Sequence, residues 1–338
     1  MSSKSKVLLI GSGGVGTIAS YVLESNGKAE VTSVIRSDYQ LVLDSGYQIK
    51  SIDYGEINNF RPSHIVNNVL DSIKYGPFDY VVVTTKNQPD IFSIEELIAP
   101  VIIKEKTTIV LIQNGFGIEK TIIEKFPGTI VLSGVQMISS TLYDGIIDQP
   151  GPDSMSIGIF NNNISTKNDQ YLIAQNFISL YSNEKNNCYY DENVKYTRWR
   201  KLVYNATLNS TCALTDLDVG RVELFGGVDT LIKPAMKEVL AIAKSDGVEL
   251  PESIMEFMIR SDDGVWYSPS MLVDLRKGNF IESVVILGNA LDVAKENGIS
   301  APTLTVLYNL LQLIQARTKE RKGLIKLPIQ RPISNTTN

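Results

Sequence analysis

The sequence predicts an α/β domain built on a doubly wound parallel sheet, followed by an all-α domain. Short β-rich runs alternate with helical stretches up to about residue 183, as expected of βαβ units, and a glycine-rich turn directly follows the first run. Beyond that point the hydrophobic residues recur with the period of amphipathic helices. We therefore expect a first domain at residues 1–187, a second domain at 188–327 and a polar tail at 328–338.

The β-rich runs predict five strands of the parallel sheet, at residues 7–10, 30–35, 80–85, 108–112 and 130–135. Hairpin additions are expected at 46–55 and at 143–158, where Asp144-Gly145 is a turn signal. In the second domain, the periodicity predicts helices at 194–211, 229–245, 251–260, 269–277, 282–297 and 302–319.

The composition argues against several classes of protein. The net charge of −5 gives no general attraction to nucleic acid or to an anionic membrane, so we expect neither as a partner and favour a small ligand. The only histidine, His64, is expected in a surface loop, which argues against a Ser-His-Asp, Cys-His or histidine–zinc site. Cys188 and Cys212 lack the spacing of a metal site, so we expect no metal and a reducing compartment.

The start of the chain leads directly into the first predicted strand at residue 7, without room for a signal peptide. No apolar run approaches the ~20 residues of a membrane span. We therefore expect a cytoplasmic protein.

The glycine-rich turn has the pattern GxGxxG between a strand and a helix. Its glycines allow a tight turn and the close approach of a pyrophosphate to the helix N-terminus, as in Rossmann-type domains. The alternative is a glycine-rich turn without a ligand. The residues of the motif are Gly11, Ser12, Gly13, Gly14, Val15 and Gly16.

Polar residues follow three of the predicted strands. Arg36 stands after the second strand, where NAD-specific domains usually have an acidic residue, and its guanidinium suits the 2′-phosphate of NADP(H). An exposed loop arginine is the alternative, and the nearby Asp38 keeps NAD open. Lys86 and Asn114 follow the strands at 80–85 and 108–112, so both should face the cofactor. A solvated lysine and an Asn-Gly turn are the respective alternatives.

In the second domain, Lys201, Asn205 and Asn209 recur every four residues, which predicts one polar stripe on a helix with about 40° of drift per step. The alternative is an exposed polar face. Ser270 lies at a predicted helix start, and Glu282 opens the next helix, where the helix dipole alone would favour a carboxylate.

Taken in order, GSGGVG, TTKNQ, QNG, KLVYNATLN, PSMLVDLRKGNFIES and APTLTVLYNL resemble the ketopantoate reductase family, over most of residues 7–315. The resemblance implies NADPH-dependent reduction of 2-dehydropantoate, whose product feeds pantothenate synthesis. It implies that residues 11–16 bind the NADP pyrophosphate and that Arg36 meets the 2′-phosphate. It further implies that Lys86 and Asn114 line the nicotinamide end and that Thr141 is a minor cofactor contact.

The same resemblance implies that Lys201 is the general acid and that Glu282 bridges substrate and cofactor. It implies that a small 2-oxo acid substrate is bound by residues of both domains, namely Asn114, Lys201, Asn205, Asn209 and Ser270. A cleft between the domains is the expected ligand site.

The sequence departs from the family pattern at Tyr267 and Leu287, where many members have asparagine, so the substrate rim is expected to differ. Two other functions therefore stay open: reduction of another branched 2-oxo acid or a ketone, and a non-catalytic NADP-binding regulator. The Tyr- and Asn-rich chain resembles a eukaryotic, fungal branch of the family. Helical second domains of this kind often pair, so a homodimer is open as well.

Overall fold

The computed structural model describes residues 4–160 and 166–331, so residues 332–338 of the predicted tail lie outside the described part. The chain divides into two compact units, Met1–Arg198 and Trp199–Asn338. The first unit extends beyond residue 187 because the strand Asn187–Tyr190 still pairs in its sheet.

Two sheets form the first unit. An eight-stranded sheet has the order β12-β11-β8-β7-β6-β1-β2-β5, and a four-stranded sheet has the order β4-β3-β10-β9. The strands in chain order are β1 Ser5–Ile10, β2 Ala29–Val34, β3 Tyr47–Ser51, β4 Gly55–Phe60, β5 His64–Val66, β6 Tyr80–Val83, β7 Thr108–Leu111, β8 Val131–Met137, β9 Thr141–Tyr143, β10 Ile146–Gln149, β11 Ser154–Ile159 and β12 Asn187–Tyr190.

The large sheet is parallel from β8 through β5, and its middle strands are apolar runs because helices cover both faces of such a sheet. Leu9, Val22, Ile157 and Phe177 represent the core that forms between the sheet and the helices. The helices of this unit are α1 Gly14–Ser25, α2 Tyr39–Ser45, α3 Val69–Ser72, α4 Ile94–Ile98, α5 Lys120–Lys125 and α6 Lys167–Tyr181.

The two predicted hairpin additions differ in outcome. β3 and β4 pair antiparallel, and β9 and β10 form a hairpin whose turn residues, Asp144 and Gly145, both have positive φ. β11, however, does not extend that hairpin. It belongs to the large sheet, where it pairs antiparallel with β8. The prediction of a hairpin over 143–158 is therefore wrong beyond residue 149, because a strand's partner is set by contacts distant in sequence.

Asp153 connects the two sheets through buried hydrogen bonds. The Tyr54 and Tyr181 hydroxyls donate to its Oδ2 at 2.7 and 2.8 Å, and Gln136 Nε2 donates to its Oδ1 at 2.9 Å. Burial raises the pKa of the Asp153 carboxyl, although these three donors act in the opposite direction.

His64 lies in β5 and not in the predicted surface loop. The strand pairs with β2, and the half-buried imidazole stacks on Tyr75 and lies 3.2 Å from Glu30 Oε1. The polar residues around His64 suggested a loop because a three-residue edge strand leaves little apolar pattern.

The second unit is helical. Three predicted helices, at 194–211, 229–245 and 282–297, each contain a π-helical segment, at Asn205–Asn209, Val228–Ile232 and Val284–Gly288. The α-helices are α7 Val194–Tyr204, in which the boundary between the units falls, α8 Ser210–Thr215, α9 Val219–Leu224, α10 Lys233–Ser245, α11 Ser253–Arg260, α12 Ser270–Arg276, α13 Asn289–Glu296 and α14 Pro302–Arg321.

This architecture confirms the predicted fold class, an α/β unit of the Rossmann type followed by an all-α unit. Within the described part of the chain, no helix combines the length and hydropathy needed to cross a bilayer. Nor do the described residues contain a cluster of three His, Cys, Asp or Glu side chains that could hold a metal ion.

Candidate active site

The glycine-rich loop between β1 and α1 is shaped by close packing at three of its glycines, Gly11, Gly14 and Gly16. Gly11 has a φ of +111°, and a Cβ on it would lie 2.5 Å from the backbone nitrogen of Thr85. A Cβ on Gly16 would lie 1.8 Å from the carbonyl oxygen of Gly11. Thr84 Oγ1 fastens the same turn by donating to the Gly11 carbonyl at 2.5 Å. The fold itself therefore requires glycine at positions 11 and 16.

Gly13 differs, because a Cβ there would meet no atom within 4 Å. Its φ of −79° is also open to any residue. Packing thus gives no reason for a glycine at this exposed turn directly before α1. The close approach of a ligand to the backbone does give one, and the free N–H groups of a helix N-terminus favour a phosphate. The loop therefore fits the pyrophosphate of a dinucleotide.

Four adjacent parallel strands direct the other predicted cofactor residues to one edge of the sheet. In the order β7, β6, β1 and β2, the strands are followed by Asn114, Lys86, the glycine loop and Arg36. Asn114 and Lys86 are half-buried, whereas Arg36 is exposed. In a doubly wound sheet this edge is where ligands bind. The structure thus assembles these predicted residues along one border.

Arg36 makes no side-chain hydrogen bond or ion pair with any residue in the described part of the chain. Its guanidinium is therefore available to a ligand phosphate. Asp38, the residue that left NAD open, precedes α2 as its N-cap without a side-chain capping bond.

Thr141 begins β9 and is half-buried. The preceding residue, Ser140, lies close to the start of α1, since a Cβ on Gly14 would come within 2.4 Å of the Ser140 carbonyl oxygen. Thr141 therefore follows a segment that abuts the glycine loop.

A residue that the sequence analysis missed, Arg198, holds the loop that contains Asn114. Its Nη1 donates to the carbonyls of Gln113 and Gly115 at 3.0 and 2.9 Å, and its Nε donates to Ser133 Oγ at 2.9 Å. The side chain is 4% exposed, and burial lowers its pKa to about 10. Nothing in the sequence distinguishes Arg198 from Arg200 two residues later.

In the helical unit, the predicted stripe of Lys201, Asn205 and Asn209 runs from α7 into a π segment. Asn205 and Asn209 are 8% and 3% exposed, which excludes the alternative of an exposed polar face, and Lys201 is half-buried. A regular α-helix would turn Asn209 about 80° away from Lys201. A π turn accommodates one extra residue, which reduces this offset to about 20°.

Asn209 and Ser270 are brought together by contacts between the π segment and α12. Asn209 Oδ1 accepts a hydrogen bond of 2.9 Å from the Met271 N–H, and its Nδ2 lies 3.4 Å from Ser270 Oγ. Two residues that are far apart in sequence and were both predicted to hold the substrate are therefore neighbours.

Glu282 is 6% exposed and lies two residues before the third π segment, which contacts the segment Asn205–Asn209. Its chain neighbour Ile281 is fixed at both ends by Gln315, which accepts from the Ile281 N–H at 3.0 Å and donates to its carbonyl at 3.1 Å. The segment that carries Glu282 is thus held rigidly against α14.

The two departures at the substrate rim differ in position. Leu287 is fully buried and belongs to the core of the unit, so it is no rim residue. Tyr267 is half-buried and lies near Tyr204, whose hydroxyl donates to Asp262 Oδ2 at 2.5 Å. Burial raises the pKa of both Tyr204 and Asp262.

Comparisons with known proteins agree over most of the chain. The family described as "Ketopantoate reductase PanE/ApbA" matches residues 7–162, and its C-terminal domain matches residues 193–315. An uncharacterized protein of Saccharomyces cerevisiae is 42% identical, over 95% of this chain and 97% of its own. A 2-dehydropantoate 2-reductase of Nostoc sp. is 26% identical over 93% of this chain and 96% of its own. The crystal structure of 2-dehydropantoate 2-reductase from Methylococcus capsulatus is 28% identical, with a TM-score of 0.77 over 93% of this chain and 97% of that chain.

Proposed function

Because the chain belongs to the ketopantoate reductase family, we propose that it is the NADPH-dependent reductase that converts 2-dehydropantoate to pantoate. As a member of this family it is an oxidoreductase that uses a nicotinamide cofactor. The choice of NADPH and of 2-dehydropantoate is the proposal.

One observation carries the choice of a small polar substrate, namely the polar group formed by the buried Asn209 and Asn205 and the half-buried Ser270. A buried amide needs hydrogen-bond partners, because burying it without them costs about 1–3 kcal/mol. The buried amides of this site are therefore expected to bind polar groups of a ligand. The carboxylate and hydroxyl groups of 2-dehydropantoate supply suitable partners.

The reduced nicotinamide, when bound, supplies a hydride to the C2 carbonyl of the 2-oxo acid. Lys201 then stabilises the developing alkoxide and donates its proton to that oxygen, so a 2-hydroxy acid is formed and the lysine is reprotonated from water. Asn205, Asn209 and Ser270 hold the substrate in place, and Glu282 bridges substrate and cofactor.

The choice of NADPH rests on Arg36, whose guanidinium follows β2, pairs with no residue in the described part of the chain and suits a 2′-phosphate. No packing contact requires glycine at position 13, so a ligand close to the backbone is the better explanation for it. This supports the binding of a dinucleotide, independently of the choice between NADPH and NADH.

A second candidate is reduction of another branched 2-oxo acid or a ketone. It is favoured by Tyr267, a bulky half-buried residue where the family pattern has asparagine. A non-catalytic regulator is disfavoured, because a protein that only binds NADP(H) needs neither Lys201 nor Glu282. The homodimer and the cytoplasmic location stay predictions, the former testable by light scattering.

The deciding experiment measures NADPH oxidation with a panel of branched and unbranched 2-oxo acids and ketones. We expect the highest kcat/KM with 2-dehydropantoate, and a kcat lower by at least ~10² for the Lys201→Ala variant as a control. A higher kcat/KM with another compound would establish the second candidate. Tight NADPH binding without oxidation by any compound would identify a regulator.

A further inference from the structure

Arg198 makes an unusual set of contacts for a buried arginine. All of its hydrogen bonds go to neutral oxygens of the first unit. Glu119 and Asp191 raise its pKa through their charges, but no carboxylate in the described part of the chain lies within ion-pair distance of it. Burying a guanidinium is costly, so an arginine without a paired carboxylate must satisfy groups that would otherwise be left unsatisfied. Here these groups are carbonyls at the end of β7.

The two shorter contacts to carbonyls involve the residues on either side of Asn114. One nitrogen atom, Nη1, binds the carbonyl of Gln113 at 3.0 Å and that of Gly115 at 2.9 Å. The peptide unit before Asn114 and the one after Gly115 are therefore fixed to the same atom. Asn114 lies in the loop after β7, in which Gly115 and Gly117 have φ values of +102° and +67°. Because this backbone is not part of a described strand, the hydrogen bonds of Arg198 are needed to fix it. We call these hydrogen bonds the clamp.

The clamp also reaches the neighbouring strand. The Gln113 side chain donates to the Thr85 carbonyl at 2.7 Å and accepts a bond of 3.3 Å from Asn87 Nδ2. Thr85 and Asn87 flank Lys86, the other residue expected at the nicotinamide end. Arg198 thus fixes the backbone from which both side chains extend.

We infer that Arg198 is a positioning residue, which holds Asn114 in the orientation that the nicotinamide end of the cofactor and the substrate require. This inference rests on the proposed function. Lysine could not replace the arginine fully, because an ammonium is a point charge without the planar fork that reaches the two carbonyls and Ser133 together.

A double-mutant cycle tests the inference. Arg198→Lys should lower kcat/KM for the 2-oxo acid by about tenfold or more, because small misplacements of a positioning group are costly. In an Asn114→Ala background the same change should have less than about a threefold effect, since the group to be positioned is gone. Arg200→Lys, two residues away and stacked on Phe257, is the matched control and should leave kcat/KM unchanged.

A binding experiment separates this inference from the proposed function. Arg198→Lys should weaken NADPH but not adenosine 2′,5′-bisphosphate, which lacks the nicotinamide half and probes only the glycine loop and Arg36. This comparison needs no turnover, so it decides the role of Arg198 even if no 2-oxo acid is reduced.

Melting temperatures show whether the variants fold. If Arg198→Lys does not fold, Ser133→Ala loosens the same clamp while retaining the arginine, and the same pattern is expected with a smaller effect. Equal losses of kcat/KM in both backgrounds, or equal weakening of both ligands, would show that Arg198 is merely structural and would overturn the inference.

Discussion

The side-chain oxygen of Asn209 accepts a hydrogen bond of 2.9 Å from the backbone N–H of Met271, one residue into α12. The first N–H groups of a helix have no partner within the helix, so this amide completes the start of α12 from another element. We expect Asn209→Ala to lower the free energy of unfolding by about 1–3 kcal/mol, since it leaves the Met271 N–H unsatisfied.

Urea denaturation of the wild type, Asn209→Ala and Asn209→Asp measures this effect. Asn209→Asp keeps an acceptor and should lose less stability, although both variants should lower kcat/KM because the amide donor is lost. Equal stability of the alanine variant and the wild type would show that the hydrogen bond does not contribute to the free energy of unfolding.

The glycine loop allows ligand binding and folding to be separated. Gly13→Ala should keep the wild-type melting temperature but weaken NADPH, because its methyl group would occupy only the space that the pyrophosphate needs. Gly16→Ala should lower the melting temperature, since its methyl group would overlap the Gly11 carbonyl. Thermal unfolding and fluorescence titration with NADPH measure both effects. If Gly13→Ala binds NADPH normally, the loop does not hold the pyrophosphate.

Cofactor preference should depend on Arg36. Arg36→Ala should weaken NADPH by roughly 1.5 to 3 kcal/mol while NADH is little affected, because only NADPH loses a charge-assisted contact to the 2′-phosphate. Dissociation constants for both cofactors at one fixed salt concentration measure the difference. A uniform loss for NADPH and NADH would place the 2′-phosphate elsewhere.

The proton donor should be Lys201. Lys201→Ala should lower kcat by at least the ~10² typical of a lost general acid, with little change in the NADPH dissociation constant. Lys201→Arg should restore little activity, because guanidinium releases its proton reluctantly. Steady-state kinetics and NADPH titration of both variants provide the measurement. Near-normal kcat in Lys201→Ala would disprove the mechanism while leaving the fold and the cofactor site intact.

Asp153 should make stability depend on pH. Its folded-state pKa is raised, so its contribution to stability is fully present below the unfolded pKa and is lost as the pH rises through the folded value. The stability of the wild type relative to Asp153→Asn should therefore fall as the pH rises above about 4, over the range up to the raised folded-state pKa. Urea denaturation of both proteins across this range measures it, and a difference that stays constant with pH would contradict the assignment.

Local patterns were sufficient for much of the fold. The GxGxxG motif predicted the turn at Gly11 and the start of α1, because Gly11 and Gly16 are explained by atoms a few residues away or at the end of the adjacent strand. The position of β11 and the strand at His64 could not be predicted, since both depend on which strands become neighbours in space. A single sequence contains no direct signal for such pairing.

In the candidate site, too, features that depend on local spacing were predictable and features that depend on distant contacts were not. Spacing alone predicted that Lys201, Asn205 and Asn209 belong to one helical stretch. It could not predict the π turn within that stretch, because one extra residue does not alter the apolar pattern on either side. Arg198 was missed for a related reason, since the carbonyls that it binds lie more than eighty residues earlier in the chain.

The π segment Asn205–Asn209 also bears on how this helix tolerates changes in chain length. Deleting one residue from a regular buried helix rotates everything after it by about 100°, which usually destroys the packing. In the π segment, deletion of Thr207 would let the backbone close into an ordinary α-helix while α7 and α8 keep their orientations. The helix therefore contains a point, between Lys201 and Asn209, at which its length can vary by one residue without α7 and α8 turning relative to one another.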